Sequence, residues 1–473
     1  MPKRASFNTL LLAISPSGNS LDRERIMSLP EAMNRTRFLT PFPKILTGCL
    51  AFLKAIAVMG RTSCHRLRGR FLTALVVCAF LAACSPADER VVPVINTPGV
   101  TDSEVLLGSS LALRGHASFL GTQTLRGAMS YLNHVNAQGG IHGRTIKVIA
   151  LDDSYDPPIC LANTQKLIIE DRVFALFCYV GTPTTVRILP LIEEVHIPLL
   201  GMFTGANALR DPFDRYLINI RASYYQETGA AVSHLVNDLG LKKIAVFYQY
   251  DAYGFDGLTG TELALKGFGL APVAGGSYAR GTLDVQEGLN KIMSSGAEAV
   301  VMIGTYDPCA KFIKLAHAQG FRSVFYLVSF VGADELARRL VNQQDITVIM
   351  SQVVPPPDRN DPSPLLTGEV GYVTLLKRYY PDDQPNFVGL EGFINARVLV
   401  EGLERAGPDL NRERFIDALE SIRDFPLGLD INIAFSPSDH QGLDRVYFTR
   451  LENGQFSLIK NWADIKAQLV TSN

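Results

Sequence analysis

The fold of this chain is decided by residues 174–203, FALFCYVGTPTTVRILPLIEEVHIPLLGMF. The segment 174–179 is an apolar run whose length and composition favour a strand buried on both faces. Gly181 breaks the run, Thr182 is a good helix N-cap, and Pro183 suits a first helical position, where no N–H is needed. A helix and a second short strand follow, so the stretch predicts one strand–helix–strand unit of an α/β fold.

The turn between this strand and its helix is a candidate ligand site. A helix that starts at the end of a buried parallel strand presents free N–H groups and a partial positive charge to a crevice. Such a turn suits a small anionic or polar ligand. Every α/β protein has several turns of this kind and most of them bind nothing, so the sequence around Thr182 leaves both interpretations open.

Alternating strand and helix patterns continue on both sides of this unit. They begin near Glu104, and a second run of similar size begins after Arg221. Two such runs predict two similar lobes, each a mostly parallel sheet with helices on both sides. A proline-rich linker at 352–364 follows the second run, and later come three helical patterns and a β-hairpin around Asn453-Gly454.

Size and composition exclude several classes of protein. With 473 residues, 47% of them hydrophobic and 19% charged, the chain is long enough for about two or three domains. A net charge of −1 gives no electrostatic basis for binding nucleic acid. The motifs of P-loop, dinucleotide-binding, serine hydrolase and zinc protease sites are missing, and none of the eight histidines pairs with another at metal-ligand spacing. We therefore expect a protein that is not an enzyme, without a cofactor or a metal.

The N-terminal part has the pattern of a secretory signal. Residues 59–84 combine a basic segment, an uncharged apolar segment too short for a comfortable membrane span, and an ending of small residues. The ending Leu-Ala-Ala-Cys resembles the bacterial lipobox, which implies a lipid on Cys84; the alternative is a coincidental cysteine after an ordinary signal. Residues 85–101 are then expected to tether a folded domain to a membrane.

Residues 1–58 do not fit this scheme, because a signal peptide belongs at the N-terminus of the chain. We expect this extension to come from a start codon assigned too early, with Met59 as the true start. The alternative is that residues 45–59 form a first membrane segment.

Two pairs of residues in the first lobe have more than one interpretation. Cys160 and Cys178 are either a disulfide, worth about 3 kcal/mol by the chain-entropy model, or two buried thiols. Asp152 and Asp153 end a strand, where paired carboxylates are one interpretation and a solvated loop before a helix is the expected one.

Seven segments, taken in order, resemble one known family. They are NAQGGIHGR (136–144), IKVIALDDSYDP (146–157), YVGTPTT (179–185), GMFTGANALRD (201–211), FYQYDAYG (247–254), GTYDPCAKFI (304–313) and VSFVGADEL (328–336). The family is that of the type I periplasmic binding proteins, and the segments look most like its branched-chain amino-acid-binding branch, the receptors of ABC importers. The resemblance covers about Ser103 to the C-terminus.

The resemblance implies two Rossmann-like α/β lobes, joined by three hinge crossings, with the ligand in the cleft between them. The crossings are expected near Ser223, Val354 and Phe435. This places the first lobe at 102–223 and 355–435, and the second lobe at 224–354 and 436–473.

The resemblance also implies two anchoring turns in the first lobe. Members of the family hold the carboxylate of an amino acid with a hydroxyl and backbone N–H groups from two such turns. The first turn matches Thr182, and the second matches Phe203, Thr204 and Gly205, with Phe203 in place of a small residue.

In the second lobe the resemblance points to aromatic side chains and to a missing acid. Two aromatic positions of the family match Tyr253 and Tyr306, which otherwise serve lobe packing. The family usually pairs the ligand's ammonium group with an acid in the loop that here reads Phe330-Val331-Gly332. A buried ammonium group without a partner is costly.

Because this acid is missing, the sequence does not decide the identity of the ligand. Unless Asp251, Asp307 or Asp334 takes its place, a standard branched-chain amino acid is in doubt. An aromatic or other organic acid, an amide or a urea-like compound is the other possibility.

The expected function is that of a lipid-anchored, extracytoplasmic substrate-binding protein of an ABC importer. It would bind a small amino-acid-like or other polar organic solute by closure of its lobes, with a permease and an ATPase as partners. The alternative is a ligand-sensing module that uses the same cleft. Genes for a permease and an ATPase next to its own would favour import, and a kinase or receptor gene would favour sensing.

Overall fold

Residues 97–471, the part of the chain described by this computed structural model, form two lobes, and a parallel sheet organises the first. Its strands are β1 (Glu104–Leu111), β2 (Thr145–Asp152), β3 (Ala175–Phe177), β4 (Leu199–Leu200) and β5 (Leu217–Ile218). They lie in the order β2-β1-β3-β4-β5, and all four pairings are parallel. Parallel neighbours need crossover connections, which here include α1 (Ser118–Ala137), α2 (Pro157–Ile169) and α3 (Thr182–Val195).

The second lobe repeats this plan. Its strands are β6 (Ile244–Gln249), β7 (Gly275–Tyr278), β8 (Ala299–Ile303), β9 (Val324–Leu327) and β10 (Thr347–Gln352). These five are parallel in the order β7-β6-β8-β9-β10, the same order as in the first sheet. The helices are α4 (Tyr224–Ser233), α5 (Ala252–Gly267), α6 (Gln286–Ser294), α7 (Tyr306–Ala318) and α8 (Ala333–Leu340).

After β10 the chain returns to the first lobe and then crosses back. The returning elements are α9 (Tyr372–Tyr379), α10 (Phe387–Ala406), α11 (Arg412–Glu420), β11 (Phe425–Gly428) and β12 (Ile431–Ile433). The last elements, β13 (Tyr447–Glu452), β14 (Gln455–Leu458) and α12 (Trp462–Thr471), complete the second lobe. The chain therefore passes between the lobes three times: at 219–223, after β10, and at 434–446.

Helices α1 and α10 pack at very short range. A Cβ atom on Gly127 would come 1.8 Å from the carbonyl oxygen of Gly389, and one on Gly392 would come 2.1 Å from that of Thr124. Only glycine permits such an approach of two helix backbones. The returning segment is thus an integral layer of the first lobe.

The N-terminal predictions fall largely outside the described residues. The extension 1–58, the signal segment 59–84 with Cys84, and residues 85–96 of the expected tether all lie there. From Thr97 on, the chain is packed against the first lobe: the Leu106 N–H donates to the Gly99 carbonyl at 2.7 Å. Within 97–471, no helix is both long and apolar enough to cross a membrane.

The structure decides the interpretation of both ambiguous residue pairs of the first lobe. Cys160 and Cys178 are free, buried thiols, so the disulfide interpretation is wrong. Asp153 is also buried, so the expected solvated loop is wrong for this residue. Its carboxylate accepts hydrogen bonds from the Ser110 hydroxyl and the Tyr155 N–H, each at 2.9 Å, and burial raises its pKa to about 6.

Candidate functional site

The strand order of each lobe indicates where a ligand would be expected to bind. In the order 2-1-3-4-5 the winding of the chain reverses between the first and third strands, and ligands bind outside the carboxyl ends of the strands at that point. In the first lobe this point lies beside Thr182, which follows β3. In the second lobe it lies beside Tyr253 and Tyr306, which follow β6 and β8.

The first anchoring turn holds a buried threonine hydroxyl. Helix α3 starts at Thr182, and the preceding Gly181 occupies the N-cap position with a φ of 104°, so the prediction of Thr182 as the N-cap is wrong. A Cβ atom on Gly181 would come 2.1 Å from Cε2 of Tyr155. The Thr182 hydroxyl lies 2.6 Å from the hydroxyl of Thr204.

The second anchoring turn is joined to the first by backbone hydrogen bonds. The Phe203 N–H donates to the Tyr179 carbonyl at 2.8 Å, and the Gly181 N–H donates to the Phe203 carbonyl at 3.2 Å. Gly205 lies against Tyr224, where a Cβ atom would come 2.8 Å from Cδ1 of that ring. The structure therefore brings together Thr182, Phe203, Thr204 and Gly205 in one buried region.

Tyr253 lies on the second lobe's side of the same region. Its hydroxyl donates to the Gly304 carbonyl at 3.1 Å, and its side chain is fully buried. Its ring lies 5.2 Å from that of Tyr224 and 4.7 Å from that of Phe330, measured between ring centres. Tyr253 thus lines the cleft through an aromatic cluster.

Tyr306 and Val331, the other two predicted site residues of the second lobe, do not share the surroundings of Tyr253. The guanidinium of Arg339 lies 4.3 Å from the centre of the Tyr306 ring, and the Tyr306 hydroxyl reaches Ser118 and Phe119 at the start of α1. Val331 is buried, and its N–H donates to the Val328 carbonyl at 3.1 Å.

Phe330, a neighbour of Val331, fills the centre of the cleft. Its buried ring lies 5.9 Å from the ring of Tyr155 and 5.6 Å from that of Phe203, both in the first lobe. A hydrogen bond of 3.3 Å from Gln249 to the Tyr155 hydroxyl also joins the lobes. This is a closed arrangement in which side chains occupy the space expected for a ligand.

A buried cluster of charges lies between the cleft and the hinge. Arg221, in the first crossing, donates from Nη2 to Glu227 at 3.0 Å and from Nη1 to both Glu391 oxygens at 3.3 and 3.4 Å. The Arg221 guanidinium also lies 5.1 Å from the centre of the Phe203 ring. Burial raises the pKa of Glu391 to about 7, although the positive charge of Arg221 acts in the opposite direction.

The sequence analysis named three acids as possible partners for a ligand ammonium group: Asp251, Asp307 and Asp334. Asp251 caps α5, accepts a hydrogen bond from Gln249 at 2.7 Å and pairs with Arg280 at 3.4 Å. Asp307 pairs with Arg339. Asp334, in the first turn of α8, has an exposed side chain, but the surrounding protein raises the pKa of its carboxyl to about 6 by desolvation. Within the described residues, no group of acids, histidines and cysteines suitable for holding a metal ion is present.

Comparison with known proteins identifies the family. Residues 104–455, more than half of the chain, match the family model described as "Periplasmic binding protein". The chain is a periplasmic binding protein. A solved structure of a possible leucine/isoleucine/valine-binding protein from Rhodopirellula baltica is 34% identical, with a TM-score of 0.71 over 78% of this chain and 98% of that one.

Other periplasmic binding proteins are similar as well. A substrate-binding periplasmic protein from Ralstonia solanacearum is 28% identical, with a TM-score of 0.70 over 75% of this chain and 100% of that one. The amino acid binding protein of Pseudomonas aeruginosa is 26% identical over 235 residues, which are 50% of this chain and 63% of that protein. The chain thus spans only part of the length of such curated relatives.

These similarities confirm the type I fold with two α/β lobes and the Leu/Ile/Val-binding branch that the sequence motifs indicated. Proteins of this family bind solutes and are not enzymes, which confirms the expectation drawn from the missing catalytic motifs.

Sequence reasoning missed several residues of the cleft. Tyr155, Tyr224, Phe330 and Glu391 all contact or border the anchoring turns. One signal was available for Glu391, which is a lone acid within the apolar segment FVGLEGFINA of α10. No local pattern distinguishes Tyr155 or Tyr224 from ordinary core residues.

Proposed function

We propose that this periplasmic binding protein binds a small amino-acid-like or other polar organic solute in the cleft between its lobes. The observation that carries the proposal is the contact between the Thr182 and Thr204 hydroxyls, which joins both anchoring turns at the point where the strand order reverses. Such a pair of hydroxyls beside a helix N-terminus suits a carboxylate or another polar group. The name of the Pseudomonas relative, an amino acid binding protein, supports this ligand class.

The ligand would enter an open state of the two lobes. We propose lobes at 102–223 with 355–435 and at 224–354 with 436–473, hinged at the three crossings. In the closed state Phe330 lies between Phe203 and Tyr253, so binding requires this ring to move or the lobes to part. Hinge closure around a ligand is the usual motion of two-lobed binding proteins.

The chain would work outside the cytoplasm with membrane partners. The Leu-Ala-Ala-Cys sequence ending at Cys84 supports a lipid anchor, and the polar segment after it supports a tether to a bacterial membrane. The partners are the permease and ATPase subunits of an ABC importer. This assignment rests on the family, whose members serve such importers.

A thermal-shift screen with amino acids, organic acids, amides and polyamines tests the proposal. A ligand at about 100 times its Kd adds roughly 2.7 kcal/mol to the free energy of unfolding. For any ligand found, Thr182→Val should weaken binding at least about tenfold, because it removes a hydrogen bond to a polar group. Thr261→Val is the matched control, since this buried hydroxyl bonds only to the Gly257 carbonyl within α5 among the contacts described. Equal affinities of Thr182→Val and the wild type would contradict the assignment.

A further inference from the structure

Glu391 is a buried carboxylate whose hydrogen bonds are weak. Its side chain is 4% exposed. The hydrogen bonds that it accepts come from Nη1 of Arg221, at 3.3 and 3.4 Å. Bonds between an arginine and a carboxylate are usually about 2.7–2.9 Å long. A carboxylate offers about four acceptor positions, so Glu391 keeps acceptor capacity for a further donor.

Glu227, the other carboxylate of the cluster, is in contrast well satisfied. It accepts hydrogen bonds from Arg221 Nη2 at 3.0 Å, from the Ser329 N–H at 2.8 Å, from the Ser329 hydroxyl at 3.0 Å and from the Ser351 hydroxyl. Arg221 is thus neutralised by Glu227. Glu391 then brings a negative charge that the arginine cannot balance alone.

The next charged group does not remove this imbalance. Arg210 lies near the cluster, but its guanidinium donates to the carbonyls of Ala206 and Arg221 at 2.7 and 3.0 Å. Arg210 also interacts with Asp256, which supplies a negative charge of its own. Arg210 also acts on Glu391, yet burial still raises the pKa of Glu391 to about 7, so near neutral pH its carboxylate is balanced either by a proton or by a cation from outside the protein.

Glu391 faces a small space bounded by both lobes and the hinge. Its walls include Phe203 of the first lobe, Ser329 of the second lobe and Val353 of the crossing after β10. In the closed state this space leaves about 10 Å³ for the centre of a water-sized group, which is room for about one water molecule. An ammonium group is of similar size. Phe203, a residue of the second anchoring turn, forms part of the wall.

We propose that Glu391 binds the ammonium group of the ligand, in place of the acid that the loop at Phe330 lacks. The ligand class is then a small organic solute with a primary ammonium group, such as an α-amino acid. This inference rests on the proposed function of the cleft.

The experiment compares ligands that differ only in the ammonium group. Isothermal titration of the purified chain uses L-leucine against 4-methylpentanoate, L-valine against 3-methylbutanoate, and L-phenylalanine against 3-phenylpropanoate. The wild type should bind at least one amino acid about 100-fold more tightly than its desamino partner, as expected for a buried charge pair. Glu391→Gln should reduce this ratio below about tenfold, because an amide carries no charge.

Glu401→Gln is the control, since it makes the same chemical change on α10, where Glu401 pairs with Arg405. This variant should keep the full ratio. If the wild type binds desamino acids equally well, or if Glu391→Gln keeps the full ratio, the inference is overturned while solute binding stands. If no compound of the panel binds, the inference is overturned, whereas the proposed function is decided separately by the wider thermal-shift screen.

A crystal structure decides the matter if Glu391→Gln fails to fold. In the wild type with its tightest amino acid, the ligand nitrogen should lie within about 3.2 Å of a Glu391 carboxylate oxygen. A ligand nitrogen paired with any other acid would overturn the inference.

Discussion

The ring centres of Phe203 and Phe330 lie 5.6 Å apart across the cleft, so the lobes meet through two phenylalanines where the ligand is expected. Phe203 belongs to an anchoring turn of the first lobe, and Phe330 follows β9 of the second. Apolar contact between these rings thus helps to hold the lobes together, alongside the hydrogen bond from Gln249 to Tyr155. The same contact has to break, or its rings have to turn, when a solute enters.

The first prediction concerns the stability that this contact provides. Phe330→Ala should lower the free energy of unfolding by about 3–5 kcal/mol, because it leaves a cavity in a fully buried aromatic cluster. Urea denaturation followed by circular dichroism measures the change. Phe255→Ala, at a ring that is 41% exposed, should cost less than about 1 kcal/mol. Equal losses for both variants would show that Phe330 is not packed in the cleft in solution.

The second prediction separates close contact from backbone strain at Gly181. Gly181 and Gly139 have nearly the same φ, 104° and 103°, but only Gly181 has a neighbour within 4 Å of an added Cβ atom, the Tyr155 ring. Both alanine variants should lower the free energy of unfolding by about 1–2 kcal/mol, because alanine is strained at a positive φ. Gly181→Ala should lose about 1–3 kcal/mol more through the clash and should also weaken ligand binding. Similar unfolding free energies for the two variants would contradict this packing.

The third prediction concerns the buried partner of Arg221. Glu227→Gln should destabilise the protein by about 3–5 kcal/mol, because it removes the charge and one acceptor oxygen of the buried carboxylate to which Arg221, Ser329 and Ser351 donate. Differential scanning calorimetry should show a lower Tm. The control is Glu287→Gln, on α6, whose ion pair with Lys291 is exposed and should change the Tm little. A normal Tm for Glu227→Gln would mean that the cluster is not closed as described.

The fourth prediction follows from the raised pKa of Asp153, about 6 against an ordinary value of 3.8. The folded state then binds a proton more tightly than the unfolded state, so this group's stabilisation is fully present below about pH 4 and is lost as pH rises through about 6. The loss amounts to about 3 kcal/mol. Asp153→Asn lacks the titrating group and should therefore lack this pH dependence. The unfolding free energy of the wild type minus that of the variant should accordingly fall by the same amount between about pH 4 and pH 7. Asp284→Asn, at an exposed loop position, should show the same pH dependence of the unfolding free energy as the wild type.

The local unit around Thr182 was predictable from sequence, while its atomic detail was not. An apolar run, a glycine and a helical pattern predict strand, turn and helix, and the structure has β3, α3 and β4 there. The N-cap was assigned to Thr182 because its hydroxyl suits that role. The structure gives that position to Gly181, because the ring of Tyr155 leaves no room for a side chain. A contact with a residue from a separate loop cannot be seen in local sequence.

Non-local pairs also explain why the charge cluster was missed. Arg221 and Glu391 are 170 residues apart in sequence, and Glu227 meets Ser329 at a separation of 102. Local patterns report which face of a helix is apolar, but they carry no information about which distant residue covers it. The family resemblance led to the predicted turns at Thr182 and Phe203, but it directed attention to the second lobe for an acid, whereas the acid that we propose, Glu391, lies on α10 of the first lobe.

The tight contact of α1 with α10 has a consequence for the order in which the chain is made. Gln123 of α1 and Asn386, which caps α10, are hydrogen bonded although 263 residues separate them. A chain synthesised and exported from its N-terminus presents the glycine-lined surface of α1 long before its covering helix exists. The lobe that begins first is therefore completed after the main sheet of the other lobe, and until then its uncovered helix surface is exposed to aggregation.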